Sequence, residues 1–211
     1  MAQRISNIYR LVTLPAFYEG FHAILGAEYS RKRFAKDILK AAPGMKVLDV
    51  GCGPATIFPY LPDVAYTGLD LNPRHIEHAK SLYGDRGRFL VGDATRDLKG
   101  ENNSFDLIIV SALLHHLRDE ESRELLSGLC TMAKDGGRII TFDNVWLPKQ
   151  NLIAWSLNKL DSGLNIRDVS GYQRLVDGLP VHVQCSVYRD FLRIPYDHFC
   201  MTLTKRTPGE H

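Results

Sequence analysis

Short apolar runs alternate with stretches of helical character through the first two thirds of the chain. The runs cover residues 47–50, 64–69, 88–91, 104–111 and 138–142. Short apolar segments bounded by turn residues are typical of buried strands. Strands that alternate with helices predict βαβ units and a parallel sheet over residues 45–144. Two further alternating runs, residues 181–188 and 196–204, suit an antiparallel hairpin at the end of the chain.

The segments before the first strand also have helical character. Residues 27–42 predict a helix, with Tyr29, Phe34, Ile38 and Leu39 roughly on one face. Residues 1–20 are expected to form an earlier helix that breaks at Pro15. Three prolines, at positions 54, 59 and 62, crowd the first crossover. Its helix must therefore be very short, a couple of turns that start at Pro54.

An unusually apolar insertion covers residues 145–178. Helical spacing explains some of its apolar side chains as core. The others suit either the wall of an apolar ligand pocket or an interface with a second subunit, because exposed apolar patches mark binding surfaces. A homodimer is thus one expectation. These side chains are Leu152, Ile153, Trp155, Leu157, Leu160 and Leu164.

Length and composition narrow the class of protein. The 211 residues are expected to form one domain with a substantial core. An apolar fraction of 45% and a charged fraction of 24% are those of an ordinary soluble protein. The net charge of +2 comes without a basic block, which argues against a nucleic-acid partner.

Cysteine spacing and the absence of long apolar stretches set further expectations. No C-x-x-C pair occurs among the four cysteines, so neither a metal site nor a disulfide framework is predicted. Reduced thiols are the rule in the cytosol. We find no secretory leader and no run long enough to cross a bilayer, and therefore expect a cytoplasmic protein without a transmembrane segment.

The most informative segment is residues 47–53, where an apolar run meets Asp49 and then a turn with Gly51 and Gly53. Glycine is needed where the backbone takes a positive φ or approaches a ligand closely. The dinucleotide pattern G-x-G-x-x-G fails because its third position is Thr56, which disfavours a nicotinamide-dependent oxidoreductase. No Gly-Lys-Ser/Thr follows, which excludes a phosphate-binding P-loop.

The run D-V-G-C-G-P-A instead resembles the first motif of class I S-adenosylmethionine-dependent methyltransferases. Ala55 stands where that family usually has a third glycine, a mild departure because alanine is still small. Later segments resemble the family in the correct order over residues 45–144: an acidic residue after the second strand, Gly-Asp-Ala after the third, Phe-Asp before the fourth apolar run, and Gly-Gly before the fifth. The resemblance implies one Rossmann-like, doubly wound α/β domain with a mostly parallel seven-stranded sheet and a C-terminal antiparallel hairpin.

It also implies a division of the single domain, residues 1–211, into four parts. Residues 1–44 would form an N-terminal helical lid, 45–144 the cofactor-binding core, 145–178 a variable acceptor-side insertion and 179–205 the hairpin. The implied cofactor is S-adenosylmethionine, with S-adenosylhomocysteine as product. Asp70 would accept from both ribose hydroxyls, and Asp93 from the adenine amine. The residues expected at the cofactor are Asp49, Gly51, Cys52, Gly53, Asp70, Leu71, Asp93, Ala94 and Ser111.

Adjacent histidines after the fourth strand are the catalytic candidates. They lie at the carboxyl edge of the predicted sheet, where open α/β folds bind ligands, and histidine titrates near neutrality. We expect His115 to be the base that takes a proton from the acceptor, and His116 to pack or hydrogen-bond beside it. The alternative is that both are structural.

The acceptor is expected to be a small molecule, and most simply a hydroxyl on a partly apolar metabolite or lipid-linked sugar. Tyr18, Tyr29, Tyr196 and His198 are second-rank candidates for contacting it. N- or C-methylation stays open, although the absence of an N/D-P-P-Y/F run counts against some amide and exocyclic nitrogens. A non-catalytic S-adenosylmethionine-binding partner module is the alternative from a different class.

Overall fold

A computed structural model describes residues 27–98, 100–161, 163–207 and 209. The helix expected over residues 1–20, and with it Tyr18, lies outside the described residues. Within the described part, seven strands form one sheet in the order β3-β2-β1-β4-β5-β7-β6. The strands are β1 Lys46–Val50, β2 Ala65–Asp70, β3 Arg88–Val91, β4 Phe105–Ser111, β5 Ala133–Asn144, β6 Val181–Tyr188 and β7 His198–Lys205.

The first five strands pair in parallel, and β7 pairs antiparallel with both β5 and β6. This confirms the predicted Rossmann-like α/β fold with a mostly parallel sheet and a C-terminal hairpin. The described α-helices are α1 Ala27–Arg33, α2 Pro73–Tyr83, α3 Ala94–Asp97, α4 Asp119–Met132, α5 Leu152–Leu160 and α6 Val169–Arg174.

Helices cover both faces of the sheet. On one face the π-helix Phe34–Leu39 and α2 pack over Val47, Leu107 and Ile140; on the other, α4 and α6 pack over Leu48 and Ile108. Adjacent residues of one strand thus belong to opposite layers, as the period of two requires. Because both faces are covered, the central strands are mostly apolar and appear in the sequence as nearly continuous apolar runs.

Three local predictions needed correction. The helix from Ala27 changes at Phe34 into a π-helix that ends at Leu39 rather than at residue 42. The first crossover is short as expected, but it contains turns and the 3₁₀ segment Phe58–Tyr60 instead of an α-helix, since its prolines remove backbone donors. The Gly136–Gly137 pair lies inside β5, where the pairing with β4 shifts register, rather than before it.

The apolar insertion is less buried than its helical spacing suggested. Helix α5 begins at an Asn151 N-cap whose side chain accepts from the Ile153 N–H. Its buried residues are Ala154 and Asn158, so the expectation that some of the six large apolar side chains belong to the core was wrong. The exposed ones are Leu152, Ile153, Trp155, Leu160 and Leu164.

The carboxyl ends of β1 to β5 meet at one edge of the sheet, and the amino end of β7 joins them there because Asn144 pairs with His198. Connections that leave this edge carry the glycine turn, the histidine pair and the residues after β5. Side chains that are distant in the sequence therefore collect along a single edge, where open α/β sheets bind ligands.

Candidate active site

A cavity of about 320 Å³ opens at this edge, over the ends of β1, β2 and β3. Five of the residues expected at the cofactor line it, namely Gly51, Asp70, Leu71, Asp93 and Ala94. Leu113 and Leu117, after β4, form part of the opposite wall. The cavity therefore combines backbone groups and carboxylates on one side with apolar side chains on the other, a composition that suits a nucleoside.

The turn after β1 requires glycine for a conformational and a steric reason. Gly51 and Gly53 have φ values of +71° and +54°, which side chains with a Cβ adopt only at a cost. A Cβ on Gly51 would lie 3.3 Å from the Leu113 side chain and narrow the space between them. Ala55, at the position of the family's third glycine, also has a positive φ of 55° and is fully buried. An alanine thus replaces the family's third glycine here, and its positive φ costs about 1 kcal/mol or more of backbone strain.

Asp70 joins this turn to the end of β2. One carboxylate oxygen accepts from the Gly53 N–H at 2.8 Å, and the other accepts from the Asn72 N–H at 2.8 Å. His75 lies 3.3 Å from the second oxygen. A carboxylate offers about four acceptor positions, so after these three contacts Asp70 keeps about one position for a hydroxyl of a ribose.

The remaining cofactor candidates take different positions. Asp93 is half-buried before α3, and its N–H donates to Asp97. Leu71 is exposed at the rim, and Ala94 is buried. Ser111 ends β4 and is not among the cavity-lining residues.

Asp49 lies behind the turn and its side chain does not line the cavity. It is buried on the face of the sheet that the π-helix Phe34–Leu39 and α2 cover, where the Tyr66 hydroxyl donates to it at 2.6 Å. Burial raises the pKa of its carboxyl to about 6, against the opposing effect of the Tyr66 hydrogen bond. Burial also raises the pKa of the Cys52 thiol well above its usual range, which fits a filler rather than a nucleophile.

His115 is held at the neighbouring stretch of the same edge by Asp143, at the end of β5. Its Nδ1 lies 2.8 Å from Asp143 Oδ1, and its backbone N–H donates to the same oxygen at 3.2 Å. The Nε2 atom is 3.6 Å from Asp161 Oδ1, beyond a direct hydrogen bond. The side chain is only 6% exposed, and Gly163 lies directly against its ring, where an added Cβ would collide with it.

His116 points outward beside it. The two rings lie 4.1 Å apart, and His116 is exposed. Partial burial and the neighbouring His115 lower the pKa of His116. Its packing or hydrogen-bonding role stays a prediction.

Further polar side chains continue from Asp143 toward the hairpin. The Asn144 amide donates to the Tyr196 hydroxyl at 2.8 Å, and Tyr196 donates to Asp161 Oδ2 at 3.2 Å. His198 follows at the start of β7, with its ring 5.0 Å from that of Tyr196, and burial lowers its pKa to about 4. We call His115, Asp143, Asn144, Asp161 and Tyr196 the acceptor-side cluster.

The cluster leaves two buried acceptor atoms without a partner. Asp143 Oδ2 and Asn144 Oδ1 have no described hydrogen bond, although both residues are at least 95% buried. Buried polar atoms of this kind are rare and are normally matched by water or by a ligand. These two oxygen atoms can therefore each accept a hydrogen bond from a further donor.

Arg167, from the insertion, fixes the segment that carries the histidines. Its guanidinium donates to the carbonyls of Leu114 and Leu117, which bracket the histidine pair, and to Asp119 at 2.7 Å. Sequence reasoning missed Arg167, which no pattern marks. It also missed Asp143 and Asn144, although polar residues that close the fifth strand follow the same rule that identified Asp70.

Only one of the two tyrosine candidates in the N-terminal region, Tyr29, lies in the described part of the chain. Tyr29 lies on α1 with 56% of its surface exposed, and it is not among the described contacts of the cavity or the cluster. Tyr18 lies outside the described residues.

No helix in the described ranges is long and apolar enough to cross a membrane. The described part of the chain also has no group of three His, Cys, Asp or Glu side chains that could hold a metal ion.

The fold and the site together define a Rossmann-like protein whose glycine turn and strand-end carboxylates suit the nucleoside of S-adenosylmethionine. Comparison with known proteins agrees with this. The family described as "Methyltransferase domain" matches residues 47–137. Residues 47–137 therefore form a domain of the class I S-adenosylmethionine-dependent methyltransferases, as the sequence analysis expected, and S-adenosylmethionine is the cofactor of that family.

The similar proteins have different acceptors. The chain is 31% identical to phosphoethanolamine N-methyltransferase 3 of Arabidopsis thaliana over 167 residues. The aligned region covers 76% of this chain but only 33% of that protein. It is 26% identical to a ubiquinone/menaquinone biosynthesis C-methyltransferase of Laribacter hongkongensis, over 76% of this chain and 70% of the other.

A solved structure shares the fold. Geranyl diphosphate C-methyltransferase of Streptomyces coelicolor, in complex with S-adenosylhomocysteine, superposes with a TM-score of 0.66 at 14% identity, over 85% of this chain and 81% of that one. The chain spans about a third of the length of the plant relative.

Proposed function

We propose that this chain transfers a methyl group from S-adenosylmethionine to a heteroatom of a small-molecule acceptor, and that His115 takes the proton which the acceptor loses. The observation that carries the proposal is the buried His115–Asp143 pair, which lies one strand away from the glycine turn. When bound, S-adenosylmethionine supplies an electrophilic methyl group on a sulfonium.

The residues of the cofactor side fit that molecule. Gly51 leaves space that a Cβ would fill, Asp70 keeps an acceptor position for a ribose hydroxyl, and Asp93 lines the same cavity. These assignments, together with Ala94 and Leu71, are part of the proposal. Asp49 and Cys52 contribute by packing behind the turn, since neither side chain lines the cavity.

His115 suits the role of base because its orientation is fixed. Asp143 accepts from Nδ1–H, which leaves Nε2 with its lone pair directed away from β5. A base held in one tautomer and one orientation contributes about a hundredfold or more to a proton-transfer step. Arg167 positions the base indirectly, through the carbonyls on either side of it.

Two acceptor groups fit a histidine base, a hydroxyl and an amine. The hydroxyl of a partly apolar metabolite or lipid-linked sugar is what the histidine pair and the apolar insertion suggest. The N-methyltransferase and C-methyltransferase names of the relatives leave the acceptor atom open.

The test separates binding from turnover. In His115→Ala we expect S-adenosylhomocysteine to bind with unchanged affinity in calorimetry, while its release with a working acceptor falls by about a hundredfold or more. Asp70→Ala should do the reverse and weaken cofactor binding strongly. Full turnover in His115→Ala would remove the base from the proposal, and unchanged binding in Asp70→Ala would remove the ribose contact.

A non-catalytic partner module is a second candidate, favoured by the exposed apolar side chains of α5. Leu152, Trp155 and Leu160 are all at least 48% exposed, as in a surface that binds another protein. This function predicts tight S-adenosylhomocysteine binding with no product from any acceptor. It also predicts a change in oligomeric state on substitution of Leu160 by Asp.

A further inference from the structure

The acceptor-side cluster contains more hydrogen-bond acceptors than donors. Two of its atoms, Asp143 Oδ2 and Asn144 Oδ1, are buried without a described partner, and both are acceptors. Asp161 adds a second carboxylate, which takes hydrogen bonds from Gly163 N–H at 2.6 Å and from Tyr196. A ligand that completes this arrangement must bring donors.

The same cluster is rich in negative charge. The described ion-pair partner of both Asp143 and Asp161 is the imidazole of His115. Arg167 directs its guanidinium to Asp119 and to backbone carbonyls, so it does not neutralise them. Two carboxylates that share one imidazole, in a region largely closed to water, attract a cation.

Both observations distinguish a protonated amine from a hydroxyl. A hydroxyl brings one donor and no charge, whereas a primary ammonium brings three donors and a positive charge. Building on the proposed function, we infer that the acceptor is an amine, which binds as an ammonium ion beside Asp143 and Asp161 and is methylated on nitrogen.

The reaction balances with groups that the chain and the cofactor provide. The ammonium gives one proton to His115 Nε2, and the nitrogen regains its lone pair. That lone pair forms the bond to the methyl carbon while the carbon–sulfur electrons return to sulfur. The products are a methylated ammonium and S-adenosylhomocysteine, and His115 afterwards releases its proton to solvent.

Binding of a simple ammonium tests the inference without turnover. Protein saturated with S-adenosylhomocysteine is titrated by ligand-observed NMR with ethanolamine and, in parallel, with ethylene glycol, which has a hydroxyl in place of the amine. We expect ethanolamine to bind at least about tenfold more tightly, because charged hydrogen bonds are the stronger ones. Asp143→Asn and Asp161→Asn should each remove that preference.

The control variant is Asp177→Asn, an exposed carboxylate after α6, which should keep the preference. Asp161 is the more exposed of the two cluster carboxylates, so its variant remains informative if Asp143→Asn fails to fold. Equal binding of the two probes, or ethanolamine binding that survives both substitutions, would mean that water completes the cluster, and it would overturn the inference.

Turnover separates this inference from the proposed function. Release of S-adenosylhomocysteine is measured with pairs of amines and alcohols of the same carbon skeleton. Release with the amines supports both proposals. Release with the alcohols alone would overturn the amine assignment and leave the methyltransferase intact, whereas failure to bind S-adenosylhomocysteine at all would contradict the proposed function itself.

Discussion

The two halves of the candidate site share one edge of the sheet but are built in different ways. The cofactor side, over β1 to β3, consists mainly of backbone groups, including two glycines with positive φ, and of the Asp70 carboxylate, which accepts from the Gly53 N–H. The acceptor side, over β4, β5 and β7, is a network of buried and half-buried side chains contributed by residues 115, 143, 144, 161 and 196. A local turn can be specified by a few adjacent residues, whereas the network exists only when four separate segments are packed together.

One glycine on each side illustrates the difference. Gly51 is needed for its backbone conformation and for the space in front of Leu113. Gly163 has no positive φ among the described values and is needed because the His115 ring occupies the place of a Cβ. Substitution by alanine therefore tests backbone strain on the cofactor side and side-chain packing on the acceptor side.

The largest effect is expected for Gly163→Ala. The new methyl would overlap the His115 ring and lie 2.9 Å from the His115 backbone carbonyl oxygen. Because the backbone cannot easily move away, the ring must be displaced. We expect turnover to fall by about a hundredfold, with a loss of about 1 to 3 kcal/mol in the free energy of unfolding. Affinity for S-adenosylhomocysteine should not change.

Gly128→Ala is the matched control, since a Cβ there meets open space on α4. It should stabilise the helix by about 1 kcal/mol and leave turnover unaltered. Equal turnover in the two variants would show that the position of the His115 ring does not matter for the reaction.

Gly51→Ala should act on the cofactor side. A positive φ costs alanine about 1 kcal/mol or more, and the methyl narrows the cavity toward Leu113. We expect calorimetry to show at least about tenfold weaker binding of S-adenosylhomocysteine.

Gly44→Ala separates strain from occlusion, because Gly44 has φ +80° but open space around its Cβ. It should be destabilised by a similar amount and bind the cofactor normally. Weakened binding in Gly44→Ala as well would mean that strain anywhere in the fold, and not the shape of the turn, sets the affinity.

Asp49→Asn tests whether the Asp49 carboxyl affects the free energy of unfolding through its ionisation. Because burial raises the folded-state pKa of Asp49 to about 6, the carboxyl stabilises the fold at low pH. That contribution is lost as pH rises toward and through 6. The amide does not titrate but can still accept from Tyr66, so the variant should gain about 2 kcal/mol relative to the parent protein between pH 4 and pH 7.5.

Urea denaturation at both pH values gives this difference directly, and Asp85→Asn, at an exposed position, provides the comparison. A relative stability of Asp49→Asn that does not change with pH would contradict the raised pKa.

The smallest effect is expected where the two sides meet. Ala112 is exposed and has φ +53° in the connection from β4 to the histidines. Ala112→Gly should relieve about 1 kcal/mol of strain and lose part of that gain to the entropy of the unfolded chain. Thermal unfolding should therefore show a net stabilisation of about 0.5 kcal/mol. Destabilisation would show that the alanine methyl makes contacts that offset the strain.

The cofactor side was largely predictable because its determinants are contiguous. Each strand is a short apolar run, and a glycine or acidic residue marks its end, so the succession of strands along the chain and the places of Asp70 and Asp93 at strand ends followed from local patterns. Asp49 shows the limit of that reasoning. It has the expected place in the motif, but the layer into which its side chain points, toward Tyr66, depends on packing.

The acceptor side was predictable only in part. The sequence indicated His115 by its place after the fourth strand, and it indicated Tyr196 and His198 in the hairpin connection. Nothing local joined them to Asp143, Asp161 or Arg167, because the intervening segments differ in length and direction. The apolar residues of α5 had helical spacing, yet the packing of that helix through Ala154 and Asn158 left most of them exposed.

By itself, the sequence determined the fold class, the family, the cofactor turn and the candidate base, since these depend on hydrophobic periodicity and on residues that are adjacent along the chain. The tertiary structure decided which carboxylate orients His115, which arginine fixes the segment around it, and which buried oxygens remain unmatched. These features depend on contacts between residues that are 28 to 53 positions apart. Such contacts arise only when the sheet brings the ends of β4, β5 and β7 to the same edge.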